Sequence, residues 1–184
     1  MKKQATTVIG ALLFSLAIPA IGYLSFGAVP ASIFLIGYLG GFIFWLLVPD
    51  RATFASVKIP YLITLLLFIV HRIEEYVSDF QVTLSGITGV PVPEVASLPI
   101  ILLLIGSVLA WILGPLLMRR RYAFGYYLMW TFFVSMGISE LAHFIFPLFT
   151  SETYGYFPGM ASVFLLAPSS WFGMWRLYTG SKKP

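Results

Sequence analysis

The stretch "IPYLITLLLFIVHRIEEYVS", residues 59–78, begins as an unbroken apolar run and closes on a histidine, an arginine and two glutamates within five positions. A run of about 20 apolar residues is the length of α-helix that crosses roughly 30 Å of hydrocarbon. A barrel strand would instead alternate apolar and polar positions over about 10 residues. The stretch therefore predicts a membrane-spanning helix that carries ionisable groups near one end.

The rest of the chain extends that reading. It is 59% hydrophobic, 17% aromatic and only 10% charged, with a mean hydropathy of +0.93, values that a water-soluble domain of 184 residues could not keep covered. Comparable runs fall at 6–26, 31–48, 98–118, 123–147 and 158–178. The expected fold class is all-α: a polytopic membrane protein with six transmembrane helices in a single bundle, one domain over 1–184. The longest connection, "DFQVTLSGITGVPVPEVAS" at 79–97, reads as an ordered interfacial loop. Pro168 is expected to kink the sixth span, with Ser169 and Ser170 satisfying the freed carbonyls. No internal repeat supports an inverted-repeat transporter.

Charge placement predicts the orientation. With both termini cytoplasmic, six crossings put Lys2, Lys3, Arg51, Lys58, Arg119, Arg120, Arg121, Arg176, Lys182 and Lys183 on the cytoplasmic side, and Asp79, Glu94 and Glu152 opposite. That is the positive-inside pattern. The net charge of +4 is then a matter of topology, and nucleic acid is not an expected partner. "RRRY" at 119–122 reads as a lipid-headgroup anchor. The first run is too long, and too closely followed by a second, for a cleaved signal peptide. With no cysteine, disulfides, thiolate metal sites and cysteine nucleophiles are excluded.

Both histidines of the chain and three of its seven acidic residues fall inside two of these spans. Glu74 and Glu75 lie three and four positions after His71, on one face of a helix. "ELAH" sets Glu140 and His143 at i and i+3, again on one face. Counted along their helices at 1.5 Å per residue, Glu75 and Glu140 lie roughly 24 Å and roughly 26 Å from the cytoplasmic start, so the clusters are level in the outer part of the bilayer. Adjacency of the third and fifth spans would bring five titratable groups into one buried site. A charged group at a span centre costs about 2.5–3.5 kcal/mol even on the lenient insertion scale, so something must offset it. A structural polar network is the plainest answer, with Arg72 pairing Glu75, Tyr76 or the Asp79 region.

Two chemistries use such a constellation. His71, Glu74, Glu75, Glu140 and His143 can ligate a divalent metal, zinc, iron or manganese, as one ion or as a pair completed by water. Without metal, the same carboxylates and histidines can carry out acid–base catalysis on an apolar substrate, and Tyr76, Tyr126, Tyr127 and Trp130 are candidates for an aromatic lining. Both readings make the protein an enzyme acting on a lipophilic small molecule among membrane lipids. A non-catalytic binder or proton-coupled transporter using the same carboxylates is the alternative.

The motif His71-Arg72-Ile73-Glu74-Glu75 closing an apolar span, with His143 in a later span and Tyr156-x-Pro158-Gly159 opening the last, resembles the bacterial HXXEE-motif membrane protein family. The resemblance runs from the third span to the C-terminus, about two thirds of the chain. It implies a bacterial cytoplasmic membrane location and functional weight on His71, Glu74 and Glu75, but it implies no activity and gives Glu140 no role. A fainter resemblance, His71-x-x-x-Glu75 with Glu140 ahead of "FIFP" at 144–147, is to the emopamil-binding sterol isomerases. It implies metal-free proton transfer on a polycyclic substrate.

Overall fold

The computed structural model describes residues 3–94 and 96–181. Among them every regular element is helical: α1 (Ala5–Phe26), α2 (Ala28–Leu47), α3 (Phe54–Val77), α4 (Phe80–Thr88), α5 (Leu98–Arg119), α6 (Ala123–Gly137), two 3₁₀ segments (Ser139–Phe144 and Phe146–Phe149) and α7 (Met160–Gly180). Four helices, α1, α2, α3 and α5, are long and apolar enough to cross a membrane. α5 turns Leu102, Ile105, Leu109, Ile112 and Leu116 outward, and α3 does the same with Leu62, Leu66 and Ile69. An apolar exterior on that scale suggests a membrane protein.

α6 is the axis. Gly125 through Gly137 are all buried, with α2, α5 and α7 against them. Gly125 permits a close backbone approach, because a Cβ there would overlap the backbone of Leu117 and Met118 on α5. Around the axis lies an aromatic core in which Tyr127 meets Trp45 at 5.6 Å and Phe14 at 6.4 Å between ring centroids. The basic residues other than Arg72 collect at one end. Lys3 reaches Val48 O and Asp50, Arg121 donates to the carbonyls of Arg51 and Ala52, and Arg176 donates to Ser56 O. Lys2, Lys182 and Lys183, part of the charge pattern, lie outside the described residues.

The structure departs from the expected elements at three places. The stretch 123–147 is not one helix, since α6 stops at Gly137. There the Trp171 indole N–H donates to Gly137 O at 2.6 Å, and the N–H of Leu141, which would take that carbonyl in a continued α-helix, bonds to Ile138 O instead. α6 is therefore short, and α7, with Pro168, three serines and Arg176, falls below the apolarity of the four spanning helices. The connection after α3 holds a helix, α4, set off by Asp79 in a left-handed conformation at φ 54°. In α7 the hydroxyls of Ser169 and Ser170 both donate to Leu166 O at 2.8 Å, and not to Phe164 O, the carbonyl that the missing N–H of Pro168 leaves free.

Candidate metal centre

At the end of the bundle away from the basic residues, α3 supplies His71 and Glu75, one helical turn apart and both buried. The first 3₁₀ segment supplies Glu140 and His143. With three residues per turn a 3₁₀ helix stacks positions i and i+3, so the break in α6 aims both side chains the same way. The two pairs meet. His71 Nε2 lies 3.6 Å from Glu75 Oε1 and 3.3 Å from Glu140 Oε2, while His143 Nε2 lies 3.5 Å and 3.3 Å from the same two oxygens. Nitrogen and oxygen thus alternate around a four-membered ring.

The far side of each imidazole sets what the ring contains. His143 Nδ1 is 2.6 Å from Pro158 O, a carbonyl that only accepts, so Nδ1 carries the proton. His71 Nδ1 is 2.8 Å from Ser162 Oγ, whose own proton goes to Gly159 O at 3.1 Å, so Ser162 accepts and His71 Nδ1 also carries a proton. In neutral rings both Nε2 atoms then turn lone pairs inward, toward two carboxylate oxygens that accept when ionised. His71 Nε2 is buried without a hydrogen-bond partner. Sides of 3.3–3.6 Å are too long for charge-assisted N–H···O bonds, which run about 2.7–2.9 Å.

Those spacings suit a cation. The ligand atoms of His71, Glu75 and His143 all lie within 4.8 Å of one another. A point equidistant from donors so arranged is about 2.0–2.4 Å from each, close to the ~2.0–2.2 Å of zinc with imidazole and carboxylate. A ligating histidine ordinarily donates its other N–H to a carbonyl or similar acceptor, as both do here. Two imidazoles and two carboxylates form a donor set for zinc, iron or manganese. The His71, Glu75 and His143 group can hold such an ion. Phe80, Phe146 and Phe157 surround the His143 ring at 5.1, 5.9 and 6.0 Å between centroids, keeping the pocket apolar.

Glu74 is not part of this ring. Its Oε1 accepts from Tyr156 Oη at 2.7 Å and Ala161 N at 3.0 Å, and its Oε2 from Ser162 N at 2.7 Å. It caps the start of α7, where free backbone N–H groups and the positive end of the helix dipole favour an anion. The helical-face argument groups it with Glu75, but one position of rotation, about 100°, carries it to another neighbour. Arg72 pairs with the second oxygen of Glu75, as expected of it. The aromatic lining is not the expected one either. Tyr126 bonds Ala52 O at the basic end, Trp130 stacks on Phe44, Tyr127 lies in the core and Tyr76 is exposed.

Ser162 and the Pro158 carbonyl are the partners of the two histidines that residue-type reasoning passes over. A serine in an apolar helix carries no signal of its own, and a backbone carbonyl has no sequence signature. Gly159 does leave a mark. Its φ is +89°, and a Cβ there would stand 2.6 Å from His143 Nδ1 and Cε1 and 2.9 Å from His71 Cε1. No protein-family model, curated protein or solved structure matches this chain.

Proposed function

We propose that this protein is a six-helix integral membrane protein that holds one divalent transition metal at His71, Glu75, Glu140 and His143 and uses it in chemistry on a lipophilic small molecule. The observation that carries the reading is the ring in which two imidazole nitrogens and two carboxylate oxygens face inward at 3.3–3.6 Å, longer than charge-assisted hydrogen bonds and suited to a shared cation. Zinc, iron and manganese all suit the donor set.

In this reading α6 and α7 complete the spans, α6 shielded from lipid by its neighbours, and the basic end faces the cytoplasm with both termini, as the positive-inside rule favours. The metal centre then lies in the outer half of a bacterial cytoplasmic membrane, in line with the resemblance to the HXXEE-motif family. Below it, Phe132 and Phe133 are wholly buried in a closed core, which supports chemistry at one membrane face over passage across. The long ring distances favour the metal over metal-free proton transfer.

Elemental mass spectrometry on detergent-purified protein, prepared without chelating resin and supplied with metal, tests this. About one zinc, iron or manganese per chain is expected, and almost none in His71→Ala, Glu75→Ala or His143→Ala variants that remain folded. A metal-free wild type under those conditions would sink the proposal.

A further inference from the structure

The four residues of the ring are not equally held. His71 is fixed from behind by Ser162, His143 by the Pro158 carbonyl and Glu75 by the Arg72 guanidinium. Glu140 has no partner beyond the two histidines among the described residues. Its side chain is also the most accessible of the four, 21% exposed against 0–5% for the others. It shares a six-residue 3₁₀ segment with His143, but only His143 is tied down there, by the Pro158 carbonyl, while His71 and Glu75 rise from a 24-residue α-helix. On either side of it in the chain, Ile138 and Ile145 are exposed.

Resting on the metal reading, we infer that His71, Glu75 and His143 form a permanent three-residue cradle and that Glu140 is an exchangeable fourth ligand, displaced by an oxygen donor of the substrate. Two imidazoles and one carboxylate with a fourth position open to solvent or substrate is the general pattern of a catalytic, as opposed to structural, zinc site. A ligand fixed by a partner behind it returns to its place after each excursion. Glu140 has nothing behind it and can swing away toward its exposed edge. The substrate class follows: an apolar molecule bearing a carboxylate, carbonyl or hydroxyl oxygen, which reaches the ion from the Glu140 side with its apolar body among the exposed residues of that surface.

The test uses the full chain reconstituted with cobalt(II), whose visible bands report coordination. Wild type, Glu140→Ala, Glu140→Gln and Glu75→Ala are compared for cobalt content and for their spectra with and without millimolar acetate. Glu140→Ala and Glu140→Gln should keep about one cobalt per chain and Glu75→Ala should lose nearly all of it. Acetate should move the bands of Glu140→Ala toward those of wild type by filling the vacated position. If both Glu140 variants lose cobalt as fully as Glu75→Ala while staying monodisperse, all four ligands are equivalent and the inference fails with the metal site intact. If Glu140→Ala keeps cobalt but its bands ignore acetate, the exchangeable position is refuted. A wild type that takes up no cobalt or zinc overturns the metal reading itself.

Discussion

The two ends of the bundle treat buried polar groups in opposite ways. Toward the basic end the hydroxyls of Ser15, Tyr38 and Tyr127 meet complementary partners, although the buried indole N–H of Trp111 stays unmatched. Ser15 Oγ pairs with Tyr127 Oη at 2.7 Å and also reaches Tyr38 O, while Tyr38 Oη donates to Ser107 Oγ at 2.7 Å. At the other end, two imidazole nitrogens and two carboxylate oxygens face one another at 3.3–3.6 Å, beyond the length of a charge-assisted hydrogen bond. Both regions are buried, so burial alone separates nothing. What separates them is spacing: a network at hydrogen-bond length is complete by itself and serves folding, whereas the wider ring leaves room for a cation. Buried polar groups left unmatched are expensive, which makes such a ring a candidate functional feature.

The largest effect expected from this contrast is on metal-linked stability. If the ring holds its ion far above the dissociation constant, stripping wild type with a chelator should remove about 4 kcal/mol and lower Tm by about 10 °C. Tyr127→Phe should lose as much on chelation as wild type, while His143→Ala should not respond at all. Equal chelator sensitivity of His143→Ala and wild type, followed by thermal unfolding in detergent, would break the contrast.

Next in size is Gly159→Ala. Left-handed backbone at φ +89° and a Cβ driven against both imidazoles should together cost about 2–4 kcal/mol and reduce bound metal. Gly89→Ala is the control, since its φ is +69° but nothing lies within 4 Å of the added carbon. It should cost about 1 kcal/mol and leave metal content unchanged.

Much of this was open to sequence reading, and the parts that were not share a cause. Span length and apolarity are summed over many residues, so the helices of α1, α2, α3 and α5 emerge from composition. The convergence of His71, Glu75, Glu140 and His143 emerges because ionisable groups in apolar helices are rare enough to count. Glu74 was grouped with them because helical spacing gives a face and not a neighbour, and the N-terminus of α7 that captures it is 87 positions away in sequence. The end of α6 at Gly137 depends on the indole of Trp171, a tertiary contact that local pattern does not carry. The proton positions on both histidines rest on a serine and a carbonyl from the same distant segment.

On the matched side of the comparison, Tyr127→Phe should cost about 0.5–1.5 kcal/mol, since Ser15 keeps its bond to Tyr38 O, with no change in bound metal.

The smallest effect belongs to Asp50, beside Lys3 in the connection between α2 and α3. Burial pushes its carboxyl above the ordinary range, with the Lys3 ammonium pulling the other way. Because the folded-state value is raised, its favourable contribution is full at pH below the unfolded value and is lost as pH rises through the folded one. Asp50→Asn should therefore remove part of the fall in stability across mildly acidic pH, a few tenths to about 1 kcal/mol. Tm measured against pH for wild type and variant isolates it, because the ring at the far end contributes equally to both curves. A difference between the two that grows as pH falls, instead of as it rises, would mean that the Lys3 ion pair outweighs burial there and that the basic end, like the ring, is held by charge.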